Sequence, residues 1–163
     1  MPPSSNRSIH WEEFHRSSRI LCEQLATSRT WTRILAISRG GLIPAGIIAR
    51  ELNIRDIHVL CVQSYAGDAS AGPATRRETV QFLSPIPQGD GSEWLVVDDL
   101  ADTGATLRSI RERLPNARYA CVYAKPVGRD VLDHFVEEIP QNCWINFPWD
   151  LESSYAPPIA DRQ

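Results

Sequence analysis

A chain of 163 residues, 42% of them hydrophobic, has the size and apolar content of one globular domain with a real core. Its net charge of −3 and lack of a basic stripe argue against a nucleic-acid surface, which needs clustered Lys and Arg to neutralise phosphates. No apolar stretch approaches the roughly 20 residues that cross a bilayer, and the opening MPPSSNRS has no apolar signal core. Cys22, Cys61, Cys121 and Cys143 are too scattered for a disulfide framework or a zinc site, so buried free thiols in a cytoplasmic protein are expected.

In chain order, the apolar pattern predicts a helix from about Trp11 to Thr27, a strand from Ile34 to Ser38 and a helix from Ile43 to Leu52. Strands follow at Ile57 to Gln63 and Trp94 to Asp98, then a helix from Thr103 to Leu114 and a strand from Ala117 to Ala124. Strands and helices alternating at this spacing imply an α/β fold, with a parallel twisted sheet flanked by helices. No internal repeat is present. Between Ser64 and Glu93 lies a stretch rich in Gly, Ala, Ser and Pro, too long for an ordinary connection and therefore functional or disordered. Its Arg76 and Arg77 read equally well as solvated loop charges and as ligands of an anion.

The most informative segment is Leu95 to Thr106, LVVDDLADTGAT. An apolar run ends in Asp98 and Asp99, and Asp102, Thr103, Gly104, Ala105 and Thr106 then form a small, hydroxyl-rich turn before a helical stretch. In a parallel α/β sheet, ligands collect where strands end and helices begin. Successive N–H groups in such a turn make an anion nest. The carboxylates would repel a bare anion, but a ribose phosphate resolves the conflict. They accept hydrogen bonds from its hydroxyls, and hard oxygen ligands suit Mg²⁺. Taken singly, each Asp or Thr is as readily a helix cap.

Three further places carry candidate chemistry. Ser38-Arg39-Gly40-Gly41 follows a buried strand, and its glycines permit either positive φ or close approach of backbone to ligand. Lys125 ends the apolar strand ACVYA, where an ammonium, all donor and no acceptor, suits a keto oxygen rather than an amine. Trp144 and Ile145 lie in NCWINFPW, an aromatic stretch that suits core packing, although an indole also makes a stacking platform for a base. Trp149 reads as structural, and Trp11, Trp31, His10, His15, His58 and His134 carry no site role.

With these motifs the chain resembles the phosphoribosyltransferases, and within them the bacterial xanthine-guanine subgroup. Beyond LVVDDLADTGAT, the likeness rests on ILAISRGGLIPAGIIARELNIR, CVQSY, YAKPVGR and IPQNCWINFPWD, which together touch most of the chain. The resemblance implies the type I phosphoribosyltransferase fold in a single domain spanning 1–163, with a flexible lid loop at about 64–93 and a small C-terminal purine-binding hood at about 125–163. It implies purine salvage: transfer of a phosphoribosyl group from phosphoribosyl pyrophosphate to N9 of xanthine or guanine, with hypoxanthine a third candidate. Arg39, Gly40, Asp98, Asp99, Leu100, Ala101 and the turn Asp102 to Thr106 are then the phosphoribosyl pyrophosphate site, with a cis peptide between Ser38 and Arg39. Asp99 becomes a Mg²⁺ ligand, Asp102 the catalytic proton acceptor, and Asp102, Lys125, Trp144 and the Ile145 carbonyl the purine site.

The resemblance further implies a homo-oligomer, dimer or tetramer, and peripheral contact with the inner face of the membrane. Two other classes stay open: a non-catalytic regulator that kept the fold, and an unrelated α/β nucleotide-binding module. The second would call for GxxxxGK[ST] or GxGxxG, and neither occurs.

Overall fold

The computed structural model describes residues 5–65, 79–150 and 159–161. In chain order these form β1 (Ser5–Ser8), α1 (Trp11–Ser28), β2 (Arg33–Ser38), α2 (Leu42–Glu51), β3 (Asp56–Tyr65) and β4 (Thr79–Phe82). There follow β5 (Trp94–Ala101), α3 (Ala105–Arg111), β6 (Arg118–Ala124), β7 (Glu137–Glu138) and β8 (Cys143–Asn146), with single 3₁₀ turns at Arg129–Val131, Pro148–Asp150 and Ile159–Asp161.

Six strands make the central sheet in the order β4-β3-β2-β5-β6-β7, parallel except for β4, which returns antiparallel along β3. Burial explains the composition of its middle strands. RILAIS in β2, WLVV at the start of β5 and YACVYA in β6 are nearly continuous apolar runs, as parallel strands covered on both faces require. Side chains alternate between two cores. Ile34, Ala36, Leu95, Val97 and Val122 pack with Phe14, Leu21 and Leu25 of α1 and Ile48 of α2. Leu35, Ile37, Val96 and Cys121 pack on the other face with Leu107 and Ile110 of α3. Burying one Leu or Phe of this kind stabilises the fold by about 1.5–3 kcal/mol.

From β2 the chain moves outward to β3 on one side, whereas from β5 it moves outward to β6 on the other. The crevice beyond the C-terminal ends of β2 and β5 is therefore a topological switch point, the usual ligand position in an open α/β sheet.

Four expectations change. β5 does not end at Asp98 but continues to Ala101, because Asp98, Leu100 and Ala101 remain paired with Cys121, Tyr123 and Ala124 of β6. The helix expected over Thr103–Leu114 is shorter, with α3 ending at Arg111. The stretch expected as a loop from Ser64 to Glu93 begins and ends in structure: β3 runs to Tyr65, and Thr79–Phe82 pairs back on Val62–Tyr65. Arg76 and Arg77 lie outside the described residues. Finally, the hood is not purely C-terminal. Ser5–Ser8 pairs in parallel with Cys143–Asn146, so the N-terminal strand supplies half of a separate two-stranded sheet.

That small sheet is fastened by aromatic packing. The Phe147 and Trp149 rings stack 4.6 Å apart, and Phe14 of α1 meets Trp149 edge-on at 4.9 Å. Arg7 of β1 adds ion pairs to Glu13 of α1 at 2.6 Å and to Glu137 of β7. Trp149 is thus structural. Cys22, Cys121 and Cys143 are buried free thiols, and Cys61 is half-buried. Among the described residues no helix is long and apolar enough to cross a membrane.

Candidate active site

The switch crevice is shaped first by backbone contact. After β2, the Ser38–Arg39 peptide is cis and the chain turns into α2. Neither Gly40 nor Gly41 has positive φ; both are needed for close approach instead. A Cβ on Gly40 would fall 2.2 Å from the Asp99 carboxylate, and one on Gly41 would fall 2.4 Å from the Val97 carbonyl oxygen. The absence of side chains thus lets Arg39-Gly40 lie directly against the end of β5, with the Arg39 side chain exposed.

Asp98 and Asp99 form the floor of this contact. The Asp99 N–H donates to Asp98 Oδ1 at 2.9 Å, and the Leu100 N–H to Asp99 Oδ1 at 2.7 Å. Burial pushes the Asp99 carboxyl up to about 6, opposed by its hydrogen bonds with the Asp98 side chain and the Leu100 N–H. Asp98 is also pushed well above the usual carboxylate range, by burial first and by the charge of Asp99 second. Two desolvated carboxyls side by side are an arrangement that a divalent cation relieves. Mg²⁺ commonly takes one or two protein carboxylates and fills its shell with water and substrate oxygens.

Beyond Ala101 the chain opens into a cavity of about 250 Å³ lined by Ser64, Asp98 and the whole run Leu100–Leu107. Gly104, at φ 78°, supplies the left-handed residue that turns the loop into α3, and Ala105 N–H donates to Thr103 Oγ1 at 3.3 Å. Arg108 holds the loop from outside, donating to the Thr103 carbonyl at 2.6 Å and the Val127 carbonyl at 2.7 Å. Ser64 and Arg108 were not recognised from the sequence. Ser64 is brought in only because β3 runs on past Gln63.

Lys125 follows β6 directly. Its N–H donates to the Ala101 carbonyl at 2.9 Å, and its side chain is 7% exposed, with Nζ 3.1 Å from Asp102 Oδ1. A buried ammonium is thus joined to a half-exposed carboxylate that lines the cavity, which places a donor and an acceptor side by side. Gln141 also reaches Asp102 Oδ1, at 3.2 Å.

On β8, alternation separates the two expected base contacts. The Trp144 side chain is 52% exposed and Ile145 only 7%. Half of Trp144 is thus open to solvent, whereas the Ile145 side chain is turned into the core.

Residues 10–156 match the family profile described as a phosphoribosyl transferase domain. The chain belongs to the phosphoribosyltransferase family. It is 45% identical to a xanthine-guanine phosphoribosyltransferase of Chromohalobacter salexigens over 155 residues, covering 95% of this chain and 90% of that protein. It is 42% identical to one of Idiomarina loihiensis over 162 residues, covering 98% and 97%. Among solved structures, the purine phosphoribosyltransferase of Pyrococcus horikoshii superposes with a TM-score of 0.72 at 28% identity, covering 88% of this chain and 93% of that one. This phosphoribosyltransferase is therefore a pentosyltransferase of the xanthine-guanine branch, with the mostly parallel sheet of the type I fold. Phosphoribosyltransferases generally use Mg²⁺ with phosphoribosyl pyrophosphate.

Proposed function

We propose that this chain transfers the 5-phosphoribosyl group from phosphoribosyl pyrophosphate to N9 of xanthine or guanine, with hypoxanthine a third substrate, and releases pyrophosphate. The observation that carries the reading is the Lys125–Asp102 pair, 3.1 Å apart, whose Asp102 lines the 102–106 cavity. A 6-oxopurine presents a keto oxygen beside N7, and the pair meets it with a donor for O6 and an acceptor for the N7 proton. Adenine's amine would set a donor against the ammonium, so adenine is rejected.

In the proposed mechanism, Asp102, Thr103, Gly104, Ala105 and Thr106 hold the 5′-phosphate on backbone N–H groups and hydroxyls. Asp98 and Asp99, with Leu100 and Ala101 spacing them from the loop, take the ribose hydroxyls. Arg39 and the Gly40 backbone meet the pyrophosphate. Asp99, with Asp98 beside it, would hold Mg²⁺, which when bound neutralises charge on the departing pyrophosphate. Trp144 stacks on the purine, a contact worth about 1–3 kcal/mol, and the Ile145 carbonyl reads the 2-position. As the bond to pyrophosphate lengthens and positive character grows on the sugar carbon, N9 attacks and Asp102 takes the proton from N7. Holding the two substrates in line supplies much of the rate.

The single domain 1–163 completes the reading; the expected water-excluding lid falls on 66–78, outside the described residues. We assign the chain to the cytoplasm, where its multiply charged substrate is retained. We also propose a homo-oligomer, dimer or tetramer. Leu42 on α2 and Ile57 and Val59 on β3 are 43–45% exposed, apolar area that a second copy would cover. The test of function is nucleotide formation from phosphoribosyl pyrophosphate and Mg²⁺ with xanthine, guanine, hypoxanthine and adenine in parallel. The expected result is turnover of the oxopurines alone, with their kcat/KM order naming the substrate. Binding of phosphoribosyl pyrophosphate without turnover of any base would favour a regulator.

A further inference from the structure

Asp102 stands just past the end of β5 with its side chain 56% exposed, so packing does not fix its rotamer. A group that must accept a proton from a bound base needs its carboxylate held to within about 0.5 Å. Two donors do this, and both act on the same oxygen: Lys125 Nζ at 3.1 Å and Gln141 Nε2 at 3.2 Å from Oδ1. The proton from the base therefore falls to Oδ2.

The two donors are not equivalent. Lys125 is shared, because under the proposed function its ammonium turns to the purine oxygen when base binds. Gln141 has no such second duty. Its Oε1 accepts the Val127 N–H at 3.0 Å, in the tight turn where Gly128 and Arg129 N–H groups fold back on the Lys125 carbonyl. That contact decides the orientation of the amide. Turning it over would set NH₂ against the Val127 N–H and a carbonyl oxygen against the Asp102 carboxylate, two repulsions in place of two bonds. Nε2 also lies 3.5 Å from the Asp102 main-chain carbonyl, at the outer limit of a hydrogen bond. Gly128 fixes the same stretch of backbone: a Cβ there would fall 2.5 Å from the Ala101 carbonyl oxygen and 2.8 Å from that of Asp102.

We propose that Gln141 is a positioning residue: anchored on Val127, it holds Oδ1 of Asp102 and aims Oδ2 at the base while Lys125 engages the purine. The inference rests on the proposed function. Its test compares Gln141→Glu with Gln141→Met, measuring kcat and both KM values for guanine and phosphoribosyl pyrophosphate, with thermal melting as the check on folding. Gln141→Glu keeps the length and the acceptor for Val127 but turns the donor facing Asp102 into a carboxylate that repels it, whereas Gln141→Met removes the donor without adding charge. A purely structural role in the Val127 turn would therefore spare it, whereas Gln141→Met would suffer.

The expected result is a fall in kcat of roughly 10- to 100-fold in both variants, the scale of a lost charged hydrogen bond or a small misalignment. The KM for phosphoribosyl pyrophosphate should change less than about twofold, since that site is built by other residues. Normal kcat in Gln141→Glu, with or without a loss in Gln141→Met, overturns the proposal. So does a loss that tracks melting temperature, or one confined to KM. If the wild-type chain makes no nucleotide, the functional reading fails and takes this inference with it. An active wild-type chain with an unimpaired Gln141→Glu variant sinks the inference alone.

Discussion

The two halves of the candidate site are held by different physics. At the proposed ribose-phosphate site, bare main chain makes the close contacts: Gly41 lies against the Val97 carbonyl of β5, Gly40 against the Asp99 carboxylate, and Gly104 turns the loop into α3. At the proposed base site, side chains do the holding: Lys125 and Gln141 grip Asp102, while Phe147, Trp149 and Phe14 fasten the two-stranded sheet. A backbone-built site tolerates almost no added volume and changes little in charge. A side-chain-built site accepts volume but depends on every donor and acceptor. Substitutions should therefore damage folding in the first half and chemistry in the second.

The sharpest break of that contrast is Asp102→Asn. It keeps the shape of the side chain and an oxygen acceptor for Gln141 and Lys125 but removes the charge facing the buried ammonium, so stability should fall by about 1–2 kcal/mol, the scale of one weakened charged hydrogen bond, with the fold retained. Turnover should fall by something on the order of 10²–10⁴, the usual contribution of a general acid or base. Steady-state kinetics beside a melting curve checks both, and undiminished turnover would remove Asp102 from catalysis.

Gly41→Ala is the mirror case. The new methyl meets the Val97 and Ile37 carbonyl oxygens at 2.4 and 2.6 Å, both main chain and unable to yield. About 3 kcal/mol of stability should be lost, the upper end for overpacking, whatever happens to the chemistry. Denaturant titration measures it; a loss below about 1 kcal/mol would mean that the β2–α2 turn is not held by main-chain contact.

This contrast also sets what could be read from the sequence. The phosphate half lies in two short runs, Ser38–Gly41 and Asp98–Thr106, each leaving a strand whose apolar residues announce it. Even there the strand runs past its expected end at Asp98, because β6 keeps pairing with Leu100 and Ala101. The base half comes from four separate stretches. SNRS in β1 has no strand signature of its own and becomes one by pairing with Cys143–Asn146. Gln141 sits inside a quoted motif, but nothing in IPQNCW reveals a carboxylate 39 positions earlier as its partner.

Lys125→Ala should then act on the base alone. The KM for 6-oxopurines should rise on the order of 10- to 100-fold, as for one lost charged hydrogen bond. Binding of phosphoribosyl pyrophosphate should hold within about twofold. Equal losses for both substrates would make Lys125 a structural partner of Asp102. Trp144→Ala should cost less, roughly 1–3 kcal/mol of base binding from lost stacking. Its melting temperature should be unchanged, because the ring is half in solvent.

The smallest effect tests the floor shared by both halves. The Asp99 carboxyl, pushed up to about 6 in the folded chain, has a pKa near 3.9 when unfolded. The folded state thus binds more protons between these values, so without Mg²⁺ this group lowers stability as pH rises from about 4 to 6. Asp99→Asn keeps an acceptor for the Leu100 N–H and removes the charge that is buried at a cost. The substituted chain should be more stable at pH 7 by on the order of 1 kcal/mol, the advantage fading towards pH 4. Because ligand binding to the native state raises stability, Mg²⁺ with pyrophosphate should raise the melting temperature of the wild type at pH 7 and leave that of Asp99→Asn nearly unchanged. An equal shift in both chains would move the cation away from Asp99. A stability gain with no loss of turnover would show that the buried charge does no chemistry, and the site would have to be rebuilt around Asp98.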